Sequence, residues 1–207
     1  MNADREHDVS RDGSEATFAI IALAASAGGL QAVRRVLAAL PLDFPVPIVL
    51  VQHLERQRPT VLATVLSRDT PLRVKLAEDG ETCVPGRVYI APPDYHLLVN
   101  SDGTLSLSQA GLVHYVRPSA DRLFGSVAQS YRERAIAVVL SGMGLDGATG
   151  VQAIKNAGGI VIAQNEATSQ FFGMPEAAIN TGSVDQILPL DAIAPTLLKL
   201  VHREGSS

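Results

Sequence analysis

Three residues lie in the short segments that follow apolar runs in this sequence, and their types are those of a nucleophilic hydrolase. Ser26 lies in Ala24-Ala-Ser-Ala-Gly-Gly29, His53 follows Gln52 after Ile48-Val-Leu-Val51, and Asp146 lies in Ser141-Gly-Met-Gly-Leu-Asp-Gly147. A serine hydroxyl is a weak nucleophile until a base stands within hydrogen-bond reach. The base in turn needs a carboxylate on its other nitrogen to fix the tautomer and stabilise the imidazolium. The order Ser, His, Asp differs from the Ser, Asp, His order of α/β-hydrolases, and no G-x-S-x-G elbow surrounds Ser26. Triads are defined by geometry, so the order is permitted.

Each residue also has a plainer reading. Ser26 either caps the following helix beside a packing glycine pair or sits at the tip of a turn whose N–H groups receive an anion. G-x-G-x-x-G and the phosphate-loop Gly-Lys-Ser/Thr pattern are both missing, which weakens a nucleotide site. His53 is otherwise a solvent-facing loop histidine. Asp146 either caps the next helix or orients a histidine.

The elements that must position these residues are legible as a switching apolar pattern. Phe18–Ala25, Ile48–Val51, Ala135–Leu140 and Ile160–Ala163 read as buried strands. Leu30, Val33, Leu37 and Leu40 form one helical face, and Val61, Leu62, Val65 and Leu66 form a second after Pro59. A helix is expected around 148–157, and a last one from Asp191 as N-cap, burying Ile193, Leu197, Leu200 and Val201. Strands apolar on both faces and alternating with helices predict a doubly wound α/β fold with a mainly parallel sheet flanked by helices. The middle differs. Runs at 86–91, 96–100 and 104–108 are separated by Pro92-Pro93-Asp94 and Ser101-Asp102-Gly103, which predicts an antiparallel hairpin inserted into that sheet. In such sheets ligands bind at the carboxyl ends of strands, where all three residues fall.

Composition narrows the class. The 207 residues are 46% hydrophobic and 18% charged, enough apolar content for a core and too much for a disordered chain. Net charge is −4, no footprint for general nucleic-acid binding. The single cysteine, Cys83, excludes an internal disulfide framework and a multi-cysteine metal site. No apolar run approaches the roughly 20 residues of a membrane span, and the first residues lack the order of a secretion signal. The expectation is a cytoplasmic domain over 17–203 after a disordered polar lead, residues 1–16, which holds most of the charge imbalance.

Eight segments in register resemble the catalytic domain of the chemotaxis receptor methylesterases, the CheB family. They are Ala24–Leu30, Val51–Leu54, Ala77–Gly80, Pro85–Asp94, Arg117–Asp121, Ser141–Gly147, Ala163–Glu166 and Phe172–Pro175. The likeness runs from about Phe18 to about Val201. It implies a serine hydrolase that demethylates glutamate γ-methyl esters on the cytoplasmic helices of chemoreceptors, releasing methanol, with deamidation of receptor glutamines in many members. By the same resemblance Ser26 is the nucleophile, His53 the base and Asp146 the orienting carboxylate. The backbone N–H groups of Ala27 and Met143 would form the oxyanion site, and no metal or organic cofactor is needed. Ala25 stands where the family usually has glycine, Ala27 where threonine is frequent, Ser141 where threonine is common and Ala120 where valine is. The family's chemotaxis enzymes usually carry an N-terminal phosphorylatable receiver domain, which sixteen polar residues cannot form. That implies either a stand-alone esterase domain, constitutively active or controlled by a separate regulatory protein, or a part of a longer protein.

Further residues complete the expectations. Arg117 is a candidate substrate contact or, alternatively, a structural arginine satisfying loop carbonyls. His96 and His114, near the hairpin, are expected to have no catalytic role. The Met143 and Met174 side chains are expected to pack, Cys83 to be half-buried and inert, and Asp79, Glu81 and Asp94 to serve turns. The competing function class is a non-catalytic module of the same fold that docks on receptor helices; a nucleotide-binding domain is the weakest.

Overall fold

The structure is a computed structural model, and it describes residues 18–53 and 59–202. The expected polar lead, 1–16, lies outside them. Nine strands and six α-helices alternate through the described residues. β1 (Ile20–Ala25), β2 (Ile48–Gln52), β3 (Arg73–Leu76), β4 (Arg87–Ile90), β7 (Ala135–Val139), β8 (Ile160–Gln164) and β9 (Gln186–Leu188) form one sheet in the order β3-β4-β2-β1-β7-β8-β9. Every neighbouring pair in it is parallel. β5 (His96–Val99) and β6 (Leu105–Ser108) form a separate antiparallel hairpin, as the Ser-Asp-Gly turn predicts. The run at 86–91 departs from expectation: β4 joins the parallel sheet instead of the hairpin.

Alternation along the strands divides the core between two faces. Ile21, Leu23, Ile48, Leu50, Ile136, Val138 and Ile162 face α1 (Gly29–Ala38) and α6 (Leu190–Val201). Ile20, Ala22, Ala24, Val49, Val51, Ala137 and Val139 face α3 (Ala120–Tyr131), α4 (Ala148–Asn156), α5 (Gly173–Asn180) and the hairpin. Alanines dominate the centre of the second face, so α3 packs close to the sheet there. The short α2 (Leu62–Leu66) lies beside β3. Two details correct the sequence reading. Pro189, not Asp191, precedes α6, and Asp191 sits in its first turn with its carboxylate 2.8 Å from Arg35. Gly28, at φ 70, holds the cap position of α1, so Ser26 is not its N-cap.

The sheet order reverses between β1 and β7: successive strands from β1 run outward on one side and from β7 on the other. That switch point opens a crevice at the carboxyl ends of the strands, where the loops after β1, β2 and β7 meet.

Candidate active site

The turn after β1 is tied back on both sides. The Ser26 N–H donates to the Ser141 carbonyl at 3.1 Å, and the Gln52 side-chain amide donates to the Ser26 carbonyl at 2.8 Å. The Ser141 hydroxyl donates to the Ala27 carbonyl at 3.1 Å, and the Ser141 N–H to the Gln164 side chain at 2.9 Å. Both carbonyls of the Ser26-Ala27 step are therefore held by the scaffold. Among the described residues the N–H of Ala27 has no acceptor, and neither has that of Met143. Glycines let the loops approach. A Cβ at Gly142 would lie 2.9 Å from the Ser26 Cβ and collide with the Met174 side chain. A Cβ at Gly29 would lie 2.6 Å from the methyl of Ala25. The neighbouring glycine thus makes the room that Ala25 takes up.

His53 leaves the end of β2, its N–H bonded to the Ala25 carbonyl at 3.1 Å, which fixes it beside the Ser26 turn. Its Nε2 lies 2.7 Å from Asp146 Oδ2, and the two side chains are 13% and 3% exposed. With Nε2–H donating to the carboxylate, the neutral ring presents a lone pair at Nδ1, the form a general base requires. Among the described residues no hydrogen bond joins the Ser26 hydroxyl to His53; such bonds commonly tighten only when substrate is bound.

Asp146 does not cap the helix it precedes. Gly147, at φ 104, occupies that position, and the carboxylate crosses to the N-terminus of α3. There it accepts from the Ala120 N–H at 2.6 Å, the Asp121 N–H at 3.2 Å and the Ser119 hydroxyl at 2.7 Å. Burial pushes the carboxyl up, but the bonds from His53, Ser119 and Ala120 outweigh it and hold the group below the usual carboxylate range. Asp146 thus stays ionised beside the His53 imidazole, in the field of a helix N-terminus.

The remaining candidates separate. Arg117 donates from Nε and Nη2 to Asp94 Oδ1 at 3.1 and 2.7 Å, and from Nη1 to the carbonyls of Gln109 and Ala110 at 2.7 and 2.8 Å. All three guanidinium nitrogens fasten the β4–β5 turn to the chain before α3, as the structural alternative for this arginine, one that satisfies loop carbonyls, expects. Met174 is buried as expected, but the Met143 side chain is 60% exposed and does not pack. Cys83 is half-buried, and burial pushes its thiol up to about 12, so it is no nucleophile. His96 is buried, with Nε2 3.1 Å from the Gly111 carbonyl and Nδ1 unpartnered among the described residues. Burial holds its imidazole below the ordinary histidine value.

Sequence reasoning overlooked the supports of the site. Gln52 reads as a polar residue before a histidine, and Ser119 only as lying near the start of a helix. Ser119 caps that helix, accepting from the Arg122 N–H at 3.4 Å, and its hydroxyl also donates to Asp146. That second bond joins residues 27 apart in sequence and leaves no local pattern.

Comparison with known proteins agrees with this geometry. The family profile described as CheB methylesterase matches residues 21–197. A protein-glutamate methylesterase/protein-glutamine glutaminase of Rhizobium meliloti is 43% identical over 183 residues, covering 88% of this chain and 52% of its own length. A protein of Bdellovibrio bacteriovorus with the same name is 43% identical over 194 residues, covering 92% of this chain and 54% of its own. The chain thus spans about half the length of the curated relatives it matches. The crystal structure of the Thermotoga maritima CheB methylesterase catalytic domain superposes with a TM-score of 0.86 at 39% identity, covering 89% of this chain and 99% of that one.

Proposed function

The chain belongs to the CheB methylesterase family, and on that premise we propose that it hydrolyses the γ-methyl esters of glutamates on the cytoplasmic helices of chemoreceptors, and deamidates receptor glutamines by the same chemistry. The observation that carries the reading is the 2.7 Å bond from His53 to an ionised, buried Asp146, beside a serine turn whose carbonyls are tied back. Ser26 Oγ attacks the ester carbonyl while His53 Nδ1 takes its proton. The Ala27 and Met143 N–H groups receive the oxyanion; losing one such donor typically costs about 10²–10³ in rate. The imidazolium, stabilised by Asp146, then protonates the departing methoxide, and methanol leaves. Water, activated by the same imidazole, cleaves the acyl-enzyme to a free glutamate. With a glutamine side chain the leaving group is ammonia.

No helix among the described residues is long and apolar enough to cross a membrane, and the reading places the protein in the cytoplasm, where those receptor helices lie. The test is methanol release from a methylated chemoreceptor cytoplasmic fragment by the purified protein and by Ser26→Ala. Turnover by the wild type that collapses in the variant is the expected result. Equal release by both would overturn Ser26 as nucleophile. Release by neither, with no serine-directed phosphonate adduct on Ser26, would overturn the esterase.

A further inference from the structure

Asp146 is one half of an exchange. It precedes α4 but gives its carboxylate to the first amides of α3. Asp121, in the first turn of α3, gives its own carboxylate to the start of α4: Oδ1 accepts from the Gly147 N–H at 3.0 Å and the Gly150 N–H at 2.7 Å. Each helix N-terminus thus receives the acid carried by the other helix, where an anion is favourable. The helices meet at backbone distance. A Cβ at Gly150 would lie 2.6 Å from the Phe124 Cβ and 3.1 Å from the Asp121 Cα.

The second oxygen of Asp121 is occupied too. His114 Nε2 lies 3.1 Å from Oδ2, which reserves Oδ1 for the two amides. His114 and Tyr115 are the central residues of a tight turn closed by reciprocal bonds between Val113 and Val116. Both adopt positive φ, 48 and 64, without being glycine. That is a costly backbone for such residues, and it directs the imidazole back onto Asp121. The ionisable groups facing the Asp121 carboxylate are His114 and Asp146.

We infer that Asp121 is a positioning residue: by holding the amides of Gly147 and Gly150 it fixes the turn that carries Asp146, and through Asp146 the orientation of the His53 ring. The inference rests on the reading of Ser26, His53 and Asp146 as a triad. Its logic is that of distance. Asp146 is bonded to α3 only through groups at its tip, so the turn beneath it needs a second anchor. Displacing a catalytic group by about 1 Å costs on the order of 10²-fold in rate.

The experiment pairs kinetics with a signal of the resting protein. A proton held between imidazole and carboxylate gives a far-downfield ¹H resonance, which reports the His53–Asp146 bond without substrate. Asp121→Ala is expected to lower kcat by about 10–100-fold with KM nearly unchanged and to broaden or abolish that resonance. Asp121→Asn, whose amide oxygen still accepts from both glycines while its NH₂ donates to the other tautomer of His114, is expected to keep the resonance and stay within a few-fold of wild type. If Asp121→Ala does not fold, Asp121→Ser replaces it, a side chain one bond too short to hold both amides. A folded Ala or Ser variant that keeps the resonance and kcat overturns the inference. So does an Asn variant as impaired as Ala, because charge and not the clamp would then be what matters. If the resonance follows the expected order while even the wild type releases no methanol and forms no phosphonate adduct on Ser26, the esterase reading fails and the positioning stands.

Discussion

Two histidine–carboxylate pairs lie at the same helix junction, and the proposed mechanism uses only one of them. His53 and Asp146 are 2.7 Å apart and 13% and 3% exposed; His114 and Asp121 are 3.1 Å apart and 47% and 9% exposed. Both carboxylates receive backbone amides from the N-terminus of a neighbouring helix. The inner pair's imidazole leaves the end of β2 beside the Ser26 turn, whereas the outer one sits on an exposed two-residue turn. Their acids differ as well. The bonds to Asp146 outweigh its burial, while burial and the charge of Asp146 push the Asp121 carboxyl above the usual range. A histidine beside an acid is therefore not yet a catalytic dyad. It becomes one when the acid is kept ionised and the second ring nitrogen faces a nucleophile.

The largest expected effect tests the inner pair. In Asp146→Asn one oxygen is replaced by a donor. Placed at Oδ2, the amide confronts the Ala120 N–H and forces His53 Nε2 to accept, which puts the proton on Nδ1, the nitrogen needed as base. Placed at Oδ1, it confronts the Asp121 N–H. A fall in kcat of about 10⁴-fold is expected, the size of effect that a wrong histidine tautomer has in serine proteases. Methanol release and the rate of phosphonate labelling of Ser26 both read it. The matching change in the outer pair, Asp121→Asn, is expected to cost only a few-fold. Similar losses in the two variants would erase the distinction between the pairs.

That distinction was only half legible in the sequence. Ser26, His53 and Asp146 each lie in the segment that follows an apolar strand, and the parallel sheet follows from the period of those strands, so the inner site could be assembled from local pattern. β3 and β9 went unread because Arg73-Val-Lys-Leu76 is half polar and Gln186-Ile-Leu188 is too short to show a period. β4 was assigned to the hairpin because an edge-proximal strand followed by Pro-Pro-Asp looks the same whether its partner is parallel or antiparallel. Arg117, Ser119 and Asp121 lie in one segment of the family resemblance, but their roles depend on partners 23–29 residues away. Capping exchanged between two helices leaves no periodic trace in either one.

A smaller, structural effect probes the seam that both pairs share. In Gly150→Ala the new methyl meets the Phe124 side chain and the Asp121 backbone at the distances given above, and neither is the free end of a flexible chain. Overpacking of this kind typically costs about 1–3 kcal/mol, measurable as a lower urea midpoint at unchanged m-value. Because α3 and α4 must separate to admit the methyl, the downfield His53 resonance is expected to weaken in the same variant. Lost stability with an intact resonance would mean that the inner pair does not depend on the seam.

The smallest effect is the most discriminating, because the two acids should respond to pH with opposite signs. Asp146 has its native value below the ordinary aspartate value of about 3.9. Its contribution to stability is therefore present above that value and lost as pH falls through the native one. Asp121 has its native value raised, so the folded protein favours its protonated form, and ionising it costs stability as pH rises through that value. At pH 7 Asp146→Asn should thus be less stable than wild type, whereas Asp121→Asn should match or exceed it. Both differences should shrink as the pH approaches 3. Urea unfolding of the three proteins at pH 7, 5 and 3.5 measures this directly. If Asp121→Asn is instead destabilised at pH 7 in the manner of Asp146→Asn, the amides of Gly147 and Gly150 outweigh the burial of the Asp121 charge. The two carboxylates would then be electrostatic equals, and only the position of His53 at the end of β2, beside the Ser26 turn, would separate the inner pair from its neighbour.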